Sequence, residues 1–199
     1  MITLPIVGTP SWGSPLNFAL AALAHGGFDA NDHGLLAWTY DVAQVSTSAT
    51  PASGTIRLIK LPYVTQSVSI TSLALHVNTA ATGGAVGQNF VGLYSASGTR
   101  LAQSADCTGD FSTSGAKVIT LTAPYAAVPG RYYVAVLANA GTPPALGQSS
   151  SSASTVGNFN LVASAARFAN GPAAQTSLPA TITMTGITPS ANCTWAGIA

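Results

Sequence analysis

Residues 67–77 read SVSITSLALHV, a run in which apolar and polar side chains alternate and the alternation slips once. Val68 and Ile70 keep one phase, and Leu73, Leu75 and Val77 keep the other. Successive strand residues point to opposite faces, so period two marks a half-buried strand, and the slip predicts a β-bulge near Ser72. The stretch RYYVAVLA at 131–138 is apolar on both faces, which predicts a central strand covered on two sides. Working outward, the same texture predicts strands at 35–41, 55–61, 89–95, 100–104, 116–122, 158–164, 180–185 and 192–196. Turn formers punctuate these runs: Pro51 and Gly54, Gly83-Gly84, Ser97-Gly98, Gly109-Asp110, Pro129-Gly130 and Pro143-Pro144. Ser-rich residues 148–154 read as a flexible loop, and no internal repeat is visible. So many short strands predict an all-β fold, an antiparallel β-sandwich that is jelly-roll-like if the strands follow Greek keys.

The chain changes character at Gly26-Gly27, which divides it into residues 1–27 and a β-domain of residues 28–199. Residues 1–13 read as an extended arm carrying Ile2, Leu4, Ile6, Val7 and Trp12. Ser14 is a good helix N-cap, Pro15 suits the first helical position, and Gly26-Gly27 end a short N-terminal α-helix. Leu16, Leu20 and Leu23 form one stripe on it. A helix of about eleven residues is marginal alone in water, so it needs a partner. The arm and stripe residues are therefore the expected attachment and oligomerisation surface.

Charge is scarce: six Lys and Arg, five Asp and no Glu, only 6% of the chain. A surface solvated mainly by hydroxyls and amides suits a protein that sits among copies of itself or against a larger assembly. Scattered single cations and a net charge of +1 give no footprint for nucleic acid, nor a polybasic run for lipid. No apolar window is long enough to span a membrane. Phe18–Ala24 mimics the core of a signal peptide, but the residues before it hold three prolines and no cation. Cys107 and Cys193 are isolated, and free thiols are expected.

Asp29-Ala-Asn31-Asp32-His33-Gly34 matches the opening of a calcium loop, but Tyr40 stands where the closing Glu is required. It reads instead as a polar linker built from Asx-type turns. Asp106 and Asp110 read as loop solvators rather than a catalytic carboxylate pair. No nucleophile elbow, phosphate loop, dinucleotide fingerprint or zinc spacing is present, so no catalytic residue, cofactor or metal site is expected. His76 is expected to face solvent. Trp38, Tyr40, Tyr94, Tyr132 and Tyr133 sit in strand segments and read as packing residues. Tyr63 and Tyr125, each beside a proline in a loop, are the ligand-binding candidates.

The opening LPIVGTPSWGSPLNFALAALA, together with NFVGLYSASGTRLAQSAD, GRYYVAVLANAGTPPALG and RFANG…SLPATITMTG, resembles the β-domains and lead segments of tail-fibre-like and minor structural proteins of actinobacterial phages. The likeness spans roughly residues 4–198 and rests on fold-bearing segments, so it carries no catalytic residue. It implies a virion part, trimeric, with the N-terminal segment joining the particle and the β-domain outward. The chain shows no shaft or collagen-like repeat, which favours a capsid decoration or head-fibre protein bound to the major capsid protein or another virion protein. The alternative is a tail-fibre or baseplate tip contacting host-surface glycans. Neither reading needs nucleic acid or membrane as a partner.

Overall fold

The computed structural model describes residues 28–149 and 156–199; the expected arm, helix and attachment residues Ile2, Leu4, Ile6, Val7, Trp12, Leu16, Leu20 and Leu23 lie outside them. The described chain is mostly strand, and every pairing is antiparallel. In order, its strands are β1 (Ala37–Trp38), β2 (Thr47–Ala49), β3 (Arg57–Lys60), β4 (Val68–Thr79), β5 (Thr82–Gly84), β6 (Phe90–Ser95) and β7 (Arg100–Gln103). They continue as β8 (Gly115–Ala127), β9 (Tyr132–Leu137), β10 (Ala140–Thr142), β11 (Ala145–Gln148), β12 (Phe168–Asn170), β13 (Thr188–Pro189) and β14 (Gly197–Ile198). One six-stranded sheet runs β1-β14-β4-β11-β2, with β8 on the free edge of β4; the other runs β13-β12-β3-β9-β6-β7. The short pair β5-β10 stands apart. The chain passes repeatedly from one large sheet to the other, for example from β3 to β4 and from β8 to β9.

One apolar cluster joins the two sheets. Ile70, Leu73, Leu75 and Val77 of β4, with Ile119 and Leu121 of β8, meet Ile59, Val91, Leu93, Val134, Val136 and Phe168 of the second sheet. Each fully buried Leu, Ile or Val contributes about 1.5–3 kcal/mol, so this contact dominates the stability of the fold. The other face of the second sheet is covered by irregular chain: Leu178, Ile182, Met184 and Ile187 pack on Ile56, Leu58, Tyr94, Tyr133, Ala135 and Leu137. That is why β9, central in its sheet, is buried along its whole length. The bulge also lies where the phase slip in β4 predicts it. The amides of Thr71 and Ser72 both donate to the Ala199 carbonyl, at 2.7 and 2.9 Å, while on the other edge β8 loops out between Thr120 and Tyr125.

Three expected strands are absent. Residues 158–164 form short 3-10 turns flanked by Val156–Asn158 and Ala163–Ala165, with bonds such as Leu161 N–H to Asn158 carbonyl. In 180–185, Ile182 and Met184 are cover for the second sheet rather than rungs of it. Residues 192–196 make only a single bridge, Thr194 to Gln148, before β14 begins. Alternation of apolar side chains was present in each, but pairing stops at isolated bridges: Thr181 meets Thr99 beside β7, and Thr194 meets Gln148. Conversely β2, β5 and β10 are short strands of Ser, Thr, Gly and Ala with no apolar signature, and β11 has only Leu146 to mark it. Pro143-Pro144, expected in an exposed loop, is buried between β10 and β11. Gln148, expected in the flexible loop, is the buried end of β11.

Candidate functional site

The two binding candidates converge at one end of the sheets. Val64 and Gly130 exchange backbone hydrogen bonds of 2.8 and 2.9 Å, which ties the loop after β3 to the turn before β9. This tie sets the Arg131 guanidinium over the Tyr63 ring, 5.8 Å from its centroid. Tyr63 nevertheless keeps 51% of its surface in solvent. Tyr125, near the end of β8 and opposite Ile70, is half-buried and meets Tyr132 edge-on at 6.2 Å. The Tyr132 hydroxyl donates to the Val128 carbonyl at 2.6 Å and accepts from its N–H at 3.1 Å, closing the β8–β9 turn. Burial pushes the Tyr132 phenol above its ordinary pKa, and the neighbouring Tyr125 and Tyr63 push the same way. The three tyrosines are therefore one group, with Tyr132 as its buried member.

Lys60 ends β3 on the adjoining face. Its Nζ donates to the Ala165 carbonyl at 3.0 Å and lies 5.5 Å from the centre of the Tyr133 ring. Burial, and then the charge of Arg131, lower its pKa. The corner thus holds two cations beside an exposed ring. Sequence reasoning found Tyr63 and Tyr125 but missed Arg131 and Lys60, because the β3–β9 pairing that unites them, extended by the Val64–Gly130 bridge, joins segments far apart in the chain and leaves no local trace.

The carboxylates mostly hold backbone. Asp29 Oδ1 accepts from the amides of Asn31 at 2.8 Å and Asp32 at 3.2 Å, and Asp32 Oδ2 accepts from Asp29 N–H at 2.8 Å. This reciprocal arrangement brackets the 3-10 turn Asn31–His33, and Gly34 closes it at φ 69°. Such a turn is the Asx-rich linker expected from sequence. Asp41 accepts from Ala43 N–H at 2.8 Å. Asp106 accepts from Asn89 N–H at 3.1 Å and the Thr108 hydroxyl at 3.0 Å. Partial burial of Asp106 raises its pKa, but these bonds outweigh that and hold it below the usual value. Among the described residues no three His, Cys, Asp or Glu side chains are grouped to hold a metal ion.

Elsewhere, Tyr94, Tyr132 and Tyr133 are buried as expected. Tyr40 is half-buried; its hydroxyl donates to the Cys193 carbonyl and accepts from Ser149 N–H. Trp38 is not simply packing: with His33, Leu35, Val42, Val118 and Trp195 it lines an apolar pocket of about 170 Å³ on the outer face of the first sheet. His76 is not solvent-facing. It lies half-buried against Gly147, whose Cβ would stand 3.0 Å from its Nδ1, and that nitrogen is buried with no hydrogen-bond partner. Both cysteines are free, Cys107 buried and Cys193 half-buried.

The chain matches no protein-family model, and no curated protein matches it.

Proposed function

We propose that this protein is a non-enzymatic surface component of a bacteriophage particle, most specifically a trimeric capsid decoration or head-fibre protein. The supporting observation is the amount of large apolar surface left in water by a chain with so few charges. Phe28, at the point where residues 1–27 join, is 74% exposed, and Val118 beside the Trp38 pocket is 64% exposed. Phe159 and Val162 project from a second loop at 83% and 69%. Contiguous exposed apolar groups of this kind mark contact surfaces. Carboxylates that cap backbone, rather than face one another across a cleft, fit a structural role. We read the two stacked sheets as a jelly-roll-like β-sandwich facing outward, with residues 1–27 joining it to the major capsid protein or another virion protein.

Light scattering tests the oligomer: a mass near three times the 19.8 kDa chain is expected, and a mass of one chain refutes the trimer. Gold labelling of the protein on parent particles tests the location, with label over the head expected. Unlabelled particles refute the virion assignment altogether. The second reading, a tail-fibre or baseplate tip that contacts host-surface glycans, draws support from the Tyr63–Arg131 corner; label at the tail end selects it.

A further inference from the structure

We infer that the corner formed by Tyr63, Arg131 and Lys60 binds an acidic saccharide, the exposed tyrosine ring stacking on a sugar face while Arg131, with the charge of Lys60 behind it, meets the anionic group. This rests on the outward-facing reading of the β-domain and holds whichever part of the particle carries it.

A pyranose presents an apolar C–H face, and an exposed aromatic ring held in one orientation is the complement of that face. Tyr63 is held. Pro62 restrains the residue before it, the Val64–Gly130 bridge fixes the residue after it, and Arg131 occupies one side of the ring at 5.8 Å. With one side engaged and half its surface still in solvent, the ring has a free side to offer. Little rotamer freedom remains to be lost on binding.

The charge decides between a neutral and an acidic sugar. Arg131 is exposed, and Lys60, paired with Tyr133 across β3 and β9, lies diagonally across from it, two residues along the neighbouring segment. No carboxylate balances them: the acidic residues are Asp29, Asp32, Asp41, Asp106 and Asp110, none in the segments that build this corner. Lys60 is directed instead to the Ala165 carbonyl and the Tyr133 ring. Two cations gathered without a counter-ion, on a chain that has only six, are a cost to the free protein that an anion removes. The guanidinium can take a carboxylate or a phosphate through paired N–H donors, so a uronate and a phosphate-bearing glycopolymer share the required chemistry.

Calorimetry on the full-length protein tests this with four probes: oligogalacturonate, phosphomannan, neutral dextran of matched length and inorganic phosphate. Binding of at least one acidic polymer, weakening as salt is raised, is expected, and the better of the two identifies the anion's source. Arg131→Gln should weaken it by roughly tenfold, and Tyr63→Ala should do the same where Tyr63→Phe does not. The melting temperature of Arg131→Gln, an exposed site, serves as the folding control. Equal binding of dextran, equal binding of inorganic phosphate, or no change in Arg131→Gln overturns the inference, as does failure of both acidic polymers. None of these results alters where gold label falls on the particle, so the two proposals fail separately.

Discussion

Asn158 offers the sharpest test of how the irregular half of the molecule is held. Its side chain is buried, and it satisfies all four of its hydrogen bonds: Nδ2 donates to the carbonyls of Phe168 and Ser190, both at 2.9 Å, and Oδ1 accepts from Arg167 N–H at 2.7 Å and Phe168 N–H at 3.1 Å. The flanking Val156, Phe159, Leu161 and Val162 are exposed, so the loop has almost no apolar anchorage of its own. Asn158→Ala orphans two backbone donors and the Ser190 carbonyl beside β12, while the Phe168 carbonyl still accepts from Ser190 N–H. Each buried unsatisfied group costs about 1–3 kcal/mol, and water reaching some of them brings the expected loss to about 3 kcal/mol. Asn158→Asp keeps both accepted bonds but points a carboxylate oxygen at two carbonyls. Its carboxyl pKa in the folded state must then exceed the unfolded value of about 3.9. The native state holds that proton more tightly, so relative to wild type the variant weakens as pH rises above about 3.9 and recovers in acid. Urea unfolding followed by circular dichroism, wild type beside both variants at neutral and acid pH, reads this directly. A loss below about 0.5 kcal/mol for Asn158→Ala, or an Asp variant whose deficit does not shrink in acid, refutes the reasoning.

Gly98, in the β6–β7 turn at φ 91°, has the Ile182 carbonyl oxygen 2.0 Å from where a Cβ would lie, so Gly98→Ala should cost at least about 3 kcal/mol in thermal or urea melts. Gly87→Ala, at φ 77° with open space around it, should lose only the left-handed strain of about 1 kcal/mol; equal losses would show that the contact with Ile182 is unimportant. Burial pushes the Tyr94 and Tyr133 phenols and the Cys107 thiol up to about 12. Their neutral forms are favoured in the fold, so stability should hold to about pH 8 and fall through roughly pH 9–12, where the unfolded groups ionise first; a flat alkaline profile refutes this. In the native protein iodoacetamide should modify the half-buried Cys193 before the buried Cys107, and the reverse order by mass spectrometry would show that the Cys107 site opens.

The all-β character was legible because half-buried strands write a period-two pattern, and β4 and β8 carry it in Val, Ile and Leu. The bulge at Thr71-Ser72 was legible for the same reason: a slip of phase in a chain with period two has few other causes. Coverage of β9 on both faces followed from RYYVAVLA, though not the identity of its outer cover. Segments 158–164 and 180–185 carry a similar alternation and are not strands, since alternation marks a buried face and not what buries it: Ile182 and Met184 cover the second sheet, while Phe159, Leu161 and Val162 stay exposed. The short strands β2, β5 and β10 show the converse, formed from Ser, Thr, Gly and Ala alongside neighbouring edges. At the candidate site the sequence marked Tyr63 and Tyr125 through the prolines beside them. Only the tertiary structure brought in Arg131 and Lys60, through the β3–β9 pairing and the Val64–Gly130 bridge, and only it set His76 half-buried against Gly147. Local chemistry sets the period, turns and caps of a chain, because those depend on neighbours in sequence. Which side chains meet, and which carbonyl waits for a given amide, depends on residues tens of positions apart, and packing alone settles it.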